Sequence, residues 1–102
     1  MPESKFEKDA VAIFMALSDT TRYNIVRMLL SVEEASCAHV SMMFPLSSPA
    51  MSHHFRVLEQ CDLMETRKQG LRRFFRINRT LLGQFLPNFE DTHGYPREEV
   101  PA

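Results

Sequence analysis

The stretch from Leu46 to Asn78, LSSPAMSHHFRVLEQCDLMETRKQGLRRFFRIN, constrains the fold most, because within it the apolar pattern changes from helical to extended. Ser47 and Ser48 offer hydroxyl caps for the unpaired amides of a helix start, and Pro49 follows inside the first turn. Met51, Phe55 and Leu58 then recur at spacings of four and three, which puts them on one helical face. Beyond Asp62, the segments Leu63 to Arg67 and Leu71 to Ile77 are rich in β-compatible residues and flank a Gln69, Gly70 turn. A helix followed by a hairpin is the expectation.

Charge is segregated onto the same stretch. The polar side of the helix carries Ser48, Ser52, His53 and Arg56, with no acidic residue before Glu59. Arg67, Lys68, Arg72 and Arg73 surround the turn, and Arg76 and Arg79 follow. From His53 to Arg79 there are seven Lys or Arg against three acidic residues, a local balance of +4 in a chain whose formal net charge is −1. Short polar groups on a helix can reach base edges and phosphates in a major groove, and cations on a protruding hairpin suit phosphate contact.

Contact with double-stranded DNA is therefore expected through a recognition helix over 48–61 and a basic wing over 64–77. The candidate residues are Ser47, Ser48, Ser52, His53, Arg56, Arg67, Lys68, Gln69, Arg72 and Arg73. The plainer readings are a solvated amphipathic helix and an edge strand protected by charge. The concentration of cations around one turn favours DNA. His54, beside Phe55, is expected to be partly buried and hydrogen-bonded, and an imidazole at position 53 or 54 could make affinity vary between about pH 5 and 8.

The remainder supplies a scaffold. Phe6, Ala10, Ile13, Phe14 and Leu17 mark a first amphipathic helix. Asp19 or Thr20 can cap a second, on which Ile25, Val26 and Leu29 face one way. A short helix over Ala38 to Phe44, with Val40, Met43 and Phe44 on one face, ends at Pro45. After the hairpin, Leu81, Leu82, Phe85, Leu86 and Phe89 continue helical spacing, which Pro87 shortens or kinks.

The expected fold is mostly α with a small β-hairpin, a winged helix-turn-helix of order ααααββα. A chain of 102 residues with 44% hydrophobic content supports one small domain, for which a second copy would add burial. That domain is placed at 1–89, with a polar tail over 90–102 that is either mobile or folded across a dimer through Phe89 and Tyr95. No apolar run reaches the roughly 18 residues of a membrane span, and the acidic start is not a signal peptide, so a soluble cytoplasmic protein is expected.

Two segments in order, ALSDTTRYNIVRMLL (Ala16 to Leu30) and MSHHFRVLEQCDLMETRKQG (Met51 to Gly70), resemble the ArsR family of bacterial winged-helix repressors. The resemblance spans roughly Phe6 to Phe89. It implies a homodimeric repressor that binds a pseudo-palindromic operator, with the first and last helices forming the interface. Phe6, Ile13, Phe14, Leu82 and Phe85 would then lie partly in that interface.

The chain also departs from the family. Metal-sensing members carry paired cysteines at the start of the third helix, where this chain has Ser36 and Ala38, and others bind zinc through an Asp-x-His pair where Asn78, Arg79, Thr80 stand here. Pro49 and Ala50 replace hydroxyl residues common in relatives. No metal or other cofactor is expected, and no inducer is identified. Cys37 and Cys61 are read as reduced thiols, neither with an evident cation beside it. No phosphate loop, nucleophile elbow or H-E-x-x-H pattern points to an enzyme. Two other readings remain: a winged-helix module that binds a protein instead of DNA, and a DNA-binding repressor released from DNA by thiol chemistry or metal.

Overall fold

A computed structural model describes residues 4–95. Helix α1 spans Lys5–Leu17 and starts at Ser4, whose side chain accepts from the Glu7 amide. Asp19 does the same for the Arg22 amide at the head of α2, Thr20–Leu30. A two-residue strand β1, Ala35–Ser36, leads directly into α3, Cys37–Met42, and Ser36 caps that helix. Ser47 caps α4, Ser48–Gln60, with Pro49 in its first turn. Strands β2, Met64–Gln69, and β3, Arg72–Ile77, follow, and then α5, Arg79–Phe85, capped by Asn78. Each of these caps satisfies an amide that the helix itself leaves without a partner.

The core forms where the apolar faces predicted for the central helices converge. Ile25, Val26 and Leu29 of α2 and Met51, Phe55 and Leu58 of α4 are all buried, together with Val40 of α3 and Phe75 of β3. Phe55 and Phe75 place their ring centroids 4.5 Å apart, which fixes α4 against the sheet. Among the described residues no helix is long and apolar enough to cross a membrane.

Four details differ from expectation. The sheet has three strands in the order β1-β3-β2, all antiparallel, because Ala35 and Ser36 pair with Phe75 and Phe74. The hairpin loop is Gly70, Leu71 rather than Gln69, Gly70: Gln69 pairs with Arg72, and Gly70 takes the positive φ of 61° needed at the first position of the two-residue turn. The short helix ends at Met42, so Met43, its C-cap, lies past the predicted apolar face and is 42% exposed. Finally, the polar segment from Glu90 begins as a helix, α6 (Phe89–His93), with Phe89 buried. Pro87 and the left-handed Asn88 separate α6 from α5. Residues 96–102 of the expected tail lie outside the described residues.

Candidate nucleic-acid interface

Burial of Met51, Phe55 and Leu58 sets the rotation of α4, so Ser52, His53 and Arg56 come out on its exposed side with Ser48. Ser47 is exposed too, although its hydroxyl already accepts from the Ala50 amide at 3.3 Å. No acidic side chain is ion-paired with Arg56 among the described residues.

His54 faces the other way, with its side chain 14% exposed. Its Nδ1 lies 3.2 Å from Arg22 Nη1 and 3.7 Å from Asp19 Oδ2. A guanidinium can only donate, so Nδ1 accepts and the neutral ring carries its proton on Nε2. Burial holds the His54 pKa below its ordinary value, and the Arg22 and His53 charges act in the same direction against Asp19. Arg22 also donates through Nε to the Ala16 carbonyl at 2.8 Å, tying the end of α1 to α4.

The cations of the hairpin and of the α5 start fall into two groups. Arg67 is held by Glu34 through two hydrogen bonds of 2.7 and 3.0 Å, and it donates to Gln69 Oε1 at 3.0 Å. The same pairing keeps the Glu34 carboxyl below its usual range. Arg76 pairs with Glu65 at 3.2 Å. Arg79 pairs with Glu90 and donates to the Leu30 and Val32 carbonyls. Lys68, Arg72 and Arg73 have no carboxylate partner among the described residues.

Of the expected wing contacts, Arg67 and Gln69 are thus engaged within the chain. Lys68, Arg72 and Arg73 are exposed at the hairpin end. Arg73 Nη2 lies 3.5 Å from Cys37 Sγ, a neighbouring cation that sequence reading missed because 36 residues separate the two. The Glu34 to Arg67 pair escaped notice for a similar reason: it depends on β1 joining the sheet, and two residues carry no periodicity to read.

No protein-family model matches the chain. The arsenical resistance operon repressor of Staphylococcus aureus is 31% identical over 81 residues, spanning 79% of this chain and 77% of the relative. The uncharacterised HTH-type transcriptional regulator YceK of Bacillus subtilis (strain 168) is 33% identical over 81 residues, spanning 78% of this chain and 81% of its own. The chain belongs to the ArsR family. Among solved ArsR-type folds, HlyU from Vibrio cholerae N16961 superposes with a TM-score of 0.75 at 26% identity, covering 89% of this chain and 98% of that one. An ArsR-like transcriptional regulator from Rhodococcus sp. RHA1 gives 0.73 at 26% identity, covering 87% and 83%. These relatives are transcriptional regulators rather than enzymes, and the winged helix-turn-helix is the fold they share with this chain.

Ser36 and Asn78, which the family resemblance set against metal-ligand positions, serve here as structural caps. Ser36 accepts from the His39 amide at 3.1 Å, and Asn78 accepts from the Leu81 amide at 3.2 Å. No group of three or more His, Cys, Asp or Glu that could hold a metal ion occurs among the described residues.

The residues expected at an ArsR dimer interface separate into two kinds. Ile13 and Leu82 are 1% and 4% exposed and pack in the chain's own core. Phe6 and Phe14 are 61% and 55% exposed, and Phe6 stacks on Phe85 at 4.9 Å. Val11 and Met15, which the single-face reading of α1 omitted, are exposed beside them.

Proposed function

We propose that this ArsR-family regulator is a homodimeric repressor that binds a pseudo-palindromic DNA operator. Each α4 enters a major groove and each wing grips the adjacent backbone. The observation that carries this reading is the placement of Arg56, Lys68, Arg72 and Arg73. These are the cations of the 53–79 stretch without a carboxylate partner among the described residues, and all are exposed. Ser48, Ser52 and His53 accompany Arg56 as the groups facing base edges. Arg67 and Gln69 act indirectly, bracing the wing against Glu34.

The dimer is proposed through α1 and the end of α5. Val11, Phe14 and Met15, at helical spacings of three and four, leave an apolar surface in water that a second copy related by a two-fold axis would cover, with Phe6, stacked on Phe85, at its edge. Two recognition helices would then read two half-sites.

The test is fluorescence anisotropy on duplex DNA from upstream of the protein's own gene, against a scrambled duplex of equal composition. Tighter, salt-sensitive binding to the native duplex is the expected result. Weak and equal binding to both would favour a protein-binding role for this surface. A thiol-dependent variant of the same reading rests on the contact between Arg73 and Cys37: two equivalents of a peroxide, each reduced to water, would convert the Cys37 thiol to an anionic sulfinate that draws Arg73 away from phosphate. Oxidant would then release DNA from the wild type and leave Cys37→Ser bound, whereas release from both would remove Cys37 from the account.

A further inference from the structure

The wing ends in a residue that neither the core nor solvation explains. Leu71 is 105% exposed, the second residue of a two-residue loop whose first, Gly70, takes a φ of 61°. A single exposed leucine is ordinary on a protein surface. What surrounds this one is not.

Side chains alternate between the faces of a β-ribbon, and the register assigns each cation to a side. Lys68 stands directly opposite Arg73, on the face that farther down the hairpin buries Met64, Phe75 and Ile77. Arg72 stands opposite Gln69 on the other face. Like charges directly across two strands repel, and no carboxylate among the described residues offsets Lys68 against Arg73. The hairpin end is therefore an apolar tip with cations on both flanks. Its complement is a narrow trough with an anionic wall on each side and few polar groups on its floor. The minor groove of DNA has that form: it is about 6 Å wide between two phosphate backbones, and at A·T pairs its floor lacks the amino group that guanine adds.

We propose, on the DNA-binding reading above, that Leu71 is an apolar wedge. It packs onto the minor-groove floor at the flank of the operator, with Lys68 and Arg73 reaching one phosphate wall and Arg72 the other. Apolar wedges of this kind read groove width and the ease with which a base step opens, without hydrogen bonds to bases. The wing thus contributes sequence preference as well as charge, favouring A·T over G·C beneath its tip.

The test uses the full chain and the tightest duplexes it recovers from a randomised pool. Because Leu71 touches nothing in the core, Leu71→Ala should melt at the wild-type temperature while binding about tenfold more weakly, as expected for lost apolar contact. Its dependence on salt should match that of the wild type, whereas Arg72→Ala should lower the slope of log affinity against log salt by about 1. Introducing G·C pairs across the flanks should locate a step where wild-type binding weakens and where inosine·C, which lacks the minor-groove amino group, restores it. Leu71→Ala should be indifferent to that exchange. Equal affinity of Leu71→Ala and wild type, or equal sensitivity to the exchange, overturns the wedge while leaving DNA binding intact. Failure of the wild type to enrich any duplex overturns the DNA-binding reading, and the wedge with it.

Discussion

Arg22 is the side chain that links the end of α1 to α4. Its guanidinium donates to the Ala16 carbonyl, lies against His54 Nδ1, and reaches the Met15 carbonyl at 3.4 Å. Charged hydrogen bonds of this kind contribute more than neutral ones, and removing the donor leaves partly buried acceptors unpaired. Arg22→Met should therefore lower stability by about 2 kcal/mol in equilibrium denaturation. An unchanged midpoint would show that water replaces the guanidinium without loss.

His54 adds a pH signature. Its folded pKa lies below 6.5, so across the interval between the two values the unfolded chain binds more protons than the folded one. Stability from this residue is complete above about pH 6.5 and declines as pH falls through the depressed value. His54→Gln should flatten that part of the stability profile. Asp19 contributes separately at lower pH: the Arg22 amide depresses its carboxyl pKa, so that stability is present above about 3.8 and is lost as pH falls.

At the level of elements, the helices that repeat an apolar face over several turns were legible. Met51, Phe55 and Leu58 predicted the buried face of α4, and the hydroxyl before Pro49 predicted its start. Elements too short to show a period were not. β1 exists because two residues meet Phe74 and Phe75 across the sheet. α6 is held by long-range contacts: Arg27 Nε donates to the His93 carbonyl at 2.6 Å, and the Tyr23 hydroxyl lies 2.9 Å from His93 Nδ1. Arg27→Ala should consequently speed amide exchange in α6 while leaving α4 protected. Equal acceleration in both helices would mean that α6 is not a separate unit.

Termination of α4 offers a gain in stability. Asp62 follows the helix with φ 64°, a left-handed conformation that glycine adopts more readily, and it puts a negative charge next to the negative end of the helix dipole. Asp62→Gly should stabilise by about 1 kcal/mol by denaturant titration.

For the whole molecule, the candidate surface was legible as a cluster of cations, but not as a division of labour among them. Counting charges along the sequence treats Arg67 and Arg72 alike, whereas the fold brings Glu34 across to one and leaves the other exposed. The first helix shows the same limit. Its composition announced an apolar helix, yet whether Ile13 or Phe14 remained for a partner depended on which side α2 covered. Phe14→Glu should accordingly yield a folded monomer in sedimentation equilibrium and weaken binding to a two-half-site duplex; a dimer of undiminished strength would place the interface elsewhere.

The central claim is that the cations left without carboxylate partners hold the DNA. It is tested most directly by the salt dependence of affinity for Arg72→Gln beside the double variant Glu34→Gln with Arg67→Gln, which removes one charge of each sign. The expected outcome is that Arg72→Gln lowers the log-log salt slope by about 1 and that the double variant keeps the wild-type slope. A slope lowered equally by both, or only by the double variant, would contradict it.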